Sequence, residues 1–548
     1  MATLEIAEDN TTTEVMDHHG LVAAACRDLD ITKRINQCIG SNDPRRVIQP
    51  GVAVMAMIIN GLGFTNRRLY LTPQFFQSKA IGQLFEENIV AEQLDDHTLG
   101  KTLDEIYAYG TSRLYSEIAF GIALDHGLLS KFAHLDSTSF ALQGQYNDTE
   151  PQGIEVRHGY SKDHRPDLKQ VMLSMATSGS ADIPFWMEPH NGNSSDKKTF
   201  TETIKRVRDF QSALKQGDEF TWVADSALYN KDKLLSSNMY HWVSRVPETL
   251  SEVKGLLSQP DDSFDWTTLD TGYKYSSHAS YYGDIEQRWL IISSEQAYQR
   301  EKKTFEKKLT RQEEELKKAC WRLGNKIFSC EEDAFSAGEQ CAKRYRYHRI
   351  DLYVTPVFKN PGRGRPKSEV EKVLAGYKIQ STITRNQKVI EQELHRKGRF
   401  IIATNNLDKN TLSDEALFAA YKEQQGVERG FRFLKDPWFM VDSFFVKKRQ
   451  RIEALMMVMT LCLLVYNYAQ HKLRKSLKLA NETLPNQLGK PVKNPTMRWI
   501  FQLMEGIAIV KLYNPAEKSF RAMITNLNDT RIKIIRLLGK TACLIYRI

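Results

Sequence analysis

The sequence predicts a protein of the α/β class with several domains, and three observations support that prediction. Apolar residues recur at helical spacing through the first 130 residues, short apolar runs bounded by polar turns follow from residue 131, and a long charged helix interrupts those runs between residues 248 and 395. At 548 residues the chain is also long for a single hydrophobic core, so we expect about three or four domains.

Residues 1–130 predict an N-terminal helical domain. Apolar residues such as Leu103 and Ile106 repeat at helical spacing. His18 and His19 would point apart on a helix, so we expect no metal site there. The role of this domain stays open between DNA binding, dimerisation and packing alone.

Residues 131–247 predict the first part of an α/β domain. Asp136 lies in the first strand-like run, and Asp225 stands near the end of the fourth. A helical pattern between the third and fourth runs gives a mixed order of strands and helices. The predicted strands span residues 132–142, 168–178, 183–192, 220–230 and 241–247, and the predicted helix spans 196–217.

Residues 248–395 predict an insertion that is rich in β-strands. It contains a highly charged helix near residues 294–322. Phe305, Leu309 and Leu316 give this helix a thin apolar stripe, which is typical of a paired or coiled helix.

Residues 396–450 predict the second part of this α/β domain, and residues 451–548 a basic helical C-terminal region. Residues 431–548 carry 21 Lys and Arg against 7 Asp and Glu, a net charge of +14, which leaves −5 for the rest of the chain. This asymmetry indicates contact with a polyanion, although a basic solvated surface without a partner is the alternative. The apolar run 454–468 is too short for a comfortable membrane span and predicts a buried helix.

A helix in the second part brings together residue types that act on DNA. At about 100° per residue, Tyr421, Gln424, Glu428 and Lys435 fall at about 0°, 300°, 340° and 320° around the helix axis, and Arg432 at about 20°. A carboxylate on such a face can hold a divalent cation, and the cationic side chains can hold phosphates. We therefore interpret this face as part of a DNA-cutting site.

Three carboxylates are the candidate catalytic and metal-binding residues: Asp136, Asp225 and Glu428. Cleavage of a phosphodiester by two metal ions needs carboxylates that hold two Mg²⁺ ions about 4 Å apart. Mg²⁺ prefers a few carboxylates together with water and phosphate oxygens. A single aspartate after an apolar run usually caps or ends an element, so the composition alone does not establish this set.

The chain resembles the DDE transposases of bacterial insertion sequences, in the group marked by a Tyr-(2)-Arg-(3)-Glu-(6)-Lys signature helix. Tyr421, Glu428 and Lys435 match that signature at its spacing, and Gln424 stands where arginine is usual. The segments LDSTSF and VADSALYN are similar to the surroundings of the two catalytic aspartates, GNSSDKKTF to a segment between them, and RHGYSKDHRPDLKQVML to one branch of the group. The resemblance covers both parts of the predicted α/β domain.

The resemblance implies an RNase H-like catalytic fold that is cut by an insertion. It implies strand cleavage at transposon ends and strand transfer into target DNA, with Mg²⁺ as cofactor and Mn²⁺ as a substitute. DNA with inverted repeats and target DNA would be the partners, and a homodimer in a synaptic complex is the expected assembly. Tyr421, Gln424, Arg432 and Lys435 would bind DNA, and Arg432 or Arg429 could supply the charge that Gln424 lacks.

Residues 360–369, NPGRGRPKSE, resemble an AT-hook. Proline keeps this segment extended, and Arg363, Arg365 and Lys367 could then enter the narrow minor groove of A·T-rich DNA. A flexible basic loop is the alternative.

Other features exclude several functions. The sequence contains no Walker A loop and no Gly-x-Ser-x-Gly motif, so we expect neither ATP use nor a nucleophilic serine. Seven scattered cysteines without a CxxC pair fit reduced thiols. The N-terminus is polar and is no signal peptide, so we expect a cytoplasmic, nucleoid-associated protein without a membrane partner. Asp163, His164 and Asp167 are expected in a surface turn.

Two other functions remain open. One is an RNase H-like nuclease that acts outside transposition and shows no preference for inverted repeats. The other is a catalytically inactive derivative that only binds DNA, against which the intact Asp136, Asp225 and Glu428 argue.

Overall fold

The structure is a computed structural model that describes residues 11–65, 69–144, 146, 152–214, 219–234, 239–269, 272–362, 371–436, 439, 446–514 and 519–548, without the side chains of 196–198 and 232–233. The chain divides into two compact units, one made of Met1–Val243 with Ala419–Ile548 and the other of Ser244–Phe418. The five-part division expected from the sequence remains a prediction.

The elements confirm a mixed α/β protein. The strands are β1 Thr11–Val15, β2 Phe132–Leu142, β3 Lys169–Ser178, β4 Ile183–His190, β5 Thr221–Ala224, β6 Trp242–Arg245, β7 Thr267–Leu269, β8 Tyr273–Tyr282, β9 Ile285–Ser294, β10 His348–Lys359, β11 Val373–Arg385, β12 Arg399–Thr404, β13 Leu484–Pro485, β14 Pro491–Val492, β15 Ala508–Asn514 and β16 Ser519–Thr525. The helices are α1 His19–Asp28, α2 Ile31–Ile39, α3 Pro50–Gly61, α4 Thr72–Phe76, α5 Ile81–Leu84, α6 Asp96–Tyr109, α7 Thr111–Asp125, α8 Asp196–Leu214, α9 Lys231–Leu234, α10 Ser251–Leu257, α11 Glu295–Gly324, α12 Glu331–Ala342, α13 Gln387–Arg396, α14 Asp414–Glu423, α15 Gln425–Leu434, α16 Arg449–Leu479, α17 Met497–Leu503, α18 Asp529–Leu538 and α19 Lys540–Tyr546.

In the first unit the strands follow the order β4-β3-β2-β5-β6. β2 is antiparallel to β3 and parallel to β5, and β3 is antiparallel to β4. The strand β2 is therefore central, and most of its residues are buried. The pairing with β5 ends at Leu135, so the half-buried Asp136 lies at the point where β2 loses that neighbour.

The core of the first unit is organised around α16. This helix packs against β4 and against seven other helices of the unit, α1, α3, α6, α7, α15, α17 and α18. Among the described residues, Arg449–Leu479 is the helix that is long and apolar enough to cross a membrane by length and composition, with a mean hydropathy of 1.6 over 18 residues. That stretch is 89% buried inside the protein, as expected for a helix that is apolar on all sides and lies in a core.

Both ends of the first unit differ from the predicted all-helical regions. β1 pairs with β15, and β15 pairs with β16, in an antiparallel three-stranded sheet. Thr13 lies opposite Val510 in this sheet. Helical spacing in the flanking segments did not reveal these strands, because each is short and its partner lies far away in the sequence.

In the second unit the strands follow the order β12-β9-β8-β7, and β10 and β11 form a separate antiparallel ribbon. The predicted charged helix is α11, in which Phe305, Leu309 and Leu316 are the buried residues, as predicted. It packs against β11 and α12 rather than against a second long helix. Residues 363–370 connect the ribbon's strands and lie outside the described residues, so Arg363, Arg365 and Lys367 have no structural account.

Candidate active site

Asp136 and Asp225 follow directly on paired residues of two adjacent parallel strands. Leu135 of β2 lies opposite Ala224 of β5, and the next residue in each segment is the aspartate. Because neighbouring strands are about 4.8 Å apart, the two carboxylates start within reach of a common cation. The structure thus brings together two of the three predicted metal ligands.

Each aspartate is oriented by a backbone donor close by in the chain. Oδ1 of Asp136 accepts a hydrogen bond from the N–H of Ser137 over 2.7 Å. Oδ1 of Asp225 accepts one from the N–H of Ala227 over 2.9 Å, in the turn where β5 ends. These bonds fix the orientation of each carboxyl group.

The predicted signature helix is interrupted at Gln424. The helix α14 ends at Glu423, and α15 begins at Gln425. The N–H of Val427 bonds to the carbonyl of Gln424 three residues before it, a tighter turn than that of an α-helix. The prediction of one continuous helix is therefore wrong, and Gln424 is buried, with 7% of its surface exposed.

The helix α15 lies alongside β2 and runs in the same direction. Oε2 of Glu423 is 3.8 Å from Nε2 of His134, and Nζ of Lys435 is 5.7 Å from the ring centre of Phe140. The six strand residues between these contacts span about 20 Å, and the twelve helical residues span about 18 Å. Asp136, two residues after His134, is therefore level with the stretch four to five residues after Glu423.

That stretch contains Val427, which is buried, and Glu428, which is exposed. Glu428 is thus at the level of Asp136 along the helix. At about 100° per residue, Glu423 falls at about 200° around the helix axis, away from the other signature residues. In the structure, however, it contacts His134 on the same face of the sheet as Asp136. An ideal helical period did not predict this contact.

Lys162 and Asp163 are functional candidates that sequence reasoning missed. Nζ of Lys162 is 3.9 Å from Oδ1 of Asp136 and donates a hydrogen bond to the carbonyl of Ser137 over 2.6 Å. Asp163, expected in a surface turn, accepts a hydrogen bond from Nζ of Lys435 over 2.5 Å. Both residues stand in the segment RHGYSKDHRPDLKQVML, and its similarity to one branch of the family was the sequence signal for them.

Burial lowers the pKa of Lys435, while the hydrogen bond and charge of Asp163 and the charge of Asp136 oppose that shift. The carboxylates therefore favour the charged form of Lys435 at neutral pH.

The remaining predicted residues are spread along the two helices. Tyr421 is half-buried in α14, and Arg432 is exposed on α15. Arg429, expected to compensate for Gln424, forms an ion pair with Asp182 over 2.8 Å. Its charge is therefore already matched by a protein carboxylate.

Within the described part of the chain, no three His, Cys, Asp or Glu side chains are grouped closely enough to hold a metal ion by themselves. Asp136, Asp225 and Glu428 nevertheless offer only oxygen ligands. This donor set fits Mg²⁺, which keeps several water ligands and is usually held by one or two carboxylates together with phosphate.

Two family models match the sequence. The model described as "Transposase DDE domain" matches residues 130–465, which is more than half of the chain, and a model described as a domain of unknown function (DUF4277) matches residues 11–120. The chain belongs to the DDE transposase family, and its enzymatic class is that of a DDE transposase, a DNA endonuclease.

No curated protein matches the chain. Five chains of solved structures do, among them the cryo-EM structure of the piggyBac transposase synaptic complex with hairpin DNA. That match has 9% sequence identity and a TM-score of 0.35, and covers 89% of this chain and 80% of the other. A likeness this distant adds nothing to the assignment of residues.

Proposed function

We propose that this transposase cleaves DNA at the ends of a transposable element and joins those ends to target DNA, with Asp136, Asp225 and Glu428 as the ligands of Mg²⁺. The observation that carries the proposal is the pairing of β2 with β5, which sets Asp136 and Asp225 side by side. The position of Glu428, level with Asp136 along α15, supports its role as the third ligand.

The sheet supports an RNase H-like catalytic fold. Its central strand β2 has antiparallel strands on one side and the parallel strand β5 on the other. Mg²⁺ held by Asp136, Asp225 and Glu428 would activate the attacking water or the 3′-hydroxyl of the DNA and would stabilise the leaving oxygen. The protein's own task is to orient the carboxylates and to hold the DNA backbone, for which Tyr421, Arg432 and Lys435 are the candidates.

The partners follow from this reaction. Terminal inverted repeats and target DNA are the substrates, and a homodimer would bring two ends together in a synaptic complex. Because DNA is the substrate, we expect the protein at the nucleoid, and the two-metal reaction needs no ATP.

The direct test is the substitution Asp136→Ala, assayed on DNA that carries the inverted repeats flanking the coding region. We expect Mg²⁺-dependent cleavage to be lost while DNA binding is retained. Asp167→Ala removes a carboxylate of an exposed ion pair with Arg165 and is the matched control, with cleavage unchanged. Cleavage by the Asp136→Ala variant would refute the metal assignment.

The same assay separates the two rivals. A nuclease outside transposition would cut DNA with and without the repeats equally well. An inactive derivative would bind the repeats but cut nothing, even with Mn²⁺.

A further inference from the structure

A loop beside the candidate active site carries a lysine, Lys162, that lies outside the signature helix. The ammonium of Lys162 donates to the carbonyl of Ser137 over 2.6 Å and to Oγ of Ser137 over 3.2 Å. Its backbone N–H donates to Oγ of Ser139 over 3.1 Å. Both serines belong to β2, so Lys162 is fixed to the strand that carries Asp136.

The loop is also fixed from the helix side. Asp163, the next residue, accepts the hydrogen bond from Lys435 at the end of α15. The position of Lys162 is thereby tied to two of the elements that carry the candidate metal ligands. About 30% of its side chain is exposed, so its charge can reach a bound molecule.

Two other cations of this region, Arg429 and Lys435, already have carboxylate partners. Gln424 replaces the usual arginine of the signature and is buried, Arg429 is paired with Asp182, and Lys435 is bound to Asp163. Lys162 places a positive charge 3.9 Å from the carboxylate of Asp136. DNA that is cut at Asp136 must bring its phosphates to this point.

We propose that Lys162 binds a phosphate of the DNA strand that is cleaved, and so supplies the phosphate-binding charge that Gln424 does not provide. The inference rests on the proposed function, because it assumes DNA at Asp136. A lysine ammonium carries three donors on a compact charge. It can keep its bond to the Ser137 carbonyl and still turn a donor to a phosphate oxygen.

The test compares Lys162→Gln, Lys162→Arg and Arg165→Gln in the full-length protein. Glutamine can retain a hydrogen bond to the carbonyl of Ser137 but has no charge, whereas arginine keeps the charge. Arg165 lies on the same loop in an exposed pair with Asp167, so Arg165→Gln matches the loss of charge away from the site.

Two measurements are made, the salt dependence of DNA binding and the kinetics of Mg²⁺-dependent cleavage. Lys162→Gln should reduce the slope of log K against log salt by about 0.9, the value for the removal of one bound phosphate. It should also lower kcat/KM by about tenfold to a hundredfold, as for the removal of one charge-assisted hydrogen bond. The change should be mainly a rise in KM, because the phosphate is bound before the chemical step. Lys162→Arg should restore both values, and Arg165→Gln should change neither.

A salt slope for Lys162→Gln equal to that of the unmodified protein, or an equal effect of Arg165→Gln, would overturn the inference and leave the proposed function standing. A protein that binds DNA but never cleaves it would instead refute the proposed function, while the salt slope still tests Lys162. A lower thermal midpoint in both Lys162 variants, with an unchanged slope, would show a purely structural role and also overturn the inference.

Discussion

Lys435 donates a hydrogen bond from Nζ to Oδ1 of Asp163 over 2.5 Å and thereby joins the end of α15 to the loop that precedes β3. The lysine of the signature is thus an anchor for a protein loop as well as a candidate DNA ligand. The same loop holds Lys162 beside Asp136. The hydrogen bond between Lys435 and Asp163 therefore links α15, through this loop, to β2.

The first prediction concerns that anchor. Asp163→Asn removes the charge that favours the protonated form of Lys435, so the loop should be held less firmly. We expect a loss of about 1 kcal/mol in the free energy of unfolding and slower DNA cleavage, measured by urea denaturation and by the cleavage assay. Asp167→Asn, in an exposed pair with Arg165, is the control and should change neither; equal behaviour of the two variants would contradict the anchoring role.

The second prediction concerns the close packing at the start of α15. A methyl group added at Gly426 would lie 2.0 Å from Oδ1 of Asp182, the partner of Arg429. Gly→Ala in a helix usually stabilises by about 1 kcal/mol, but this close approach should make Gly426→Ala destabilising by about 1 to 3 kcal/mol. The thermal midpoint of unfolding measures the effect.

Gly430→Ala is the comparison on the same helix. Its methyl group would lie 3.0 Å from Cε of Met175 and 3.0 Å from Cδ2 of Leu463. Both atoms end flexible side chains and can move, so this variant should be the milder one. If the Gly426→Ala protein has the same thermal midpoint as the unmodified one, Asp182 can move aside without a loss of stability and the prediction is wrong.

The third prediction concerns pH. His18 precedes α1, and its ring stacks on that of His19 with centroids 4.5 Å apart, so the expectation that the two rings point apart is wrong. Burial lowers the pKa of His18 from 6.5 to about 4, and burial also lowers the pKa of His19. A lowered pKa means that the folded state binds fewer protons, so the stabilisation is complete above pH 6.5 and is lost as the pH falls towards 4.

For His18 alone the loss should amount to about 3 kcal/mol. The measurement is urea denaturation of the unmodified protein and of His18→Gln across this pH range, and the variant should show the weaker pH dependence. The exposed His97 provides the control variant His97→Gln, which should follow the unmodified protein. The same pH dependence in His18→Gln would contradict the assignment.

The fourth prediction concerns the segment that resembles an AT-hook. Replacing Arg363 and Arg365 by alanine should weaken DNA binding. It should also reduce the slope of log K against log salt by about 0.9 for each phosphate that is no longer bound. Lys303 and Lys307, exposed on α11, give a double alanine variant with the same change of charge as a control. Unchanged DNA binding in the Arg363 and Arg365 variant would remove this segment from the DNA interface.

The local parts of the fold were predictable from the sequence. The strand Phe132–Leu142 has the predicted limits, because the alternation of side chains along a strand is a local signal. The charged helix and its buried stripe were equally clear, since three residues at helical spacing define one face. The same local signals identified Asp136 and Asp225 as residues that follow apolar runs.

The contacts made over long distances in the chain were not predictable in this way. The pairing of β1 with β15 joins residues almost 500 positions apart, and no local pattern determines such a partner. The interruption at Gln424 and the contact of Lys162 with Asp136 depend on how α15 and the preceding loop pack on β2. Spacing alone therefore found the signature residues but misjudged Gln424 and Glu423.

The central claim is that Asp136, Asp225 and Glu428 act together in Mg²⁺-dependent DNA cleavage. The most direct measurement is the cleavage of DNA with terminal inverted repeats by Asp225→Asn, Glu428→Gln and Glu423→Gln proteins, with DNA binding measured in parallel. We expect the first two to bind DNA but to lose cleavage, and Glu423→Gln, one helix turn away from the site, to retain it. Loss of cleavage in Glu423→Gln together with full activity in Glu428→Gln would contradict the account.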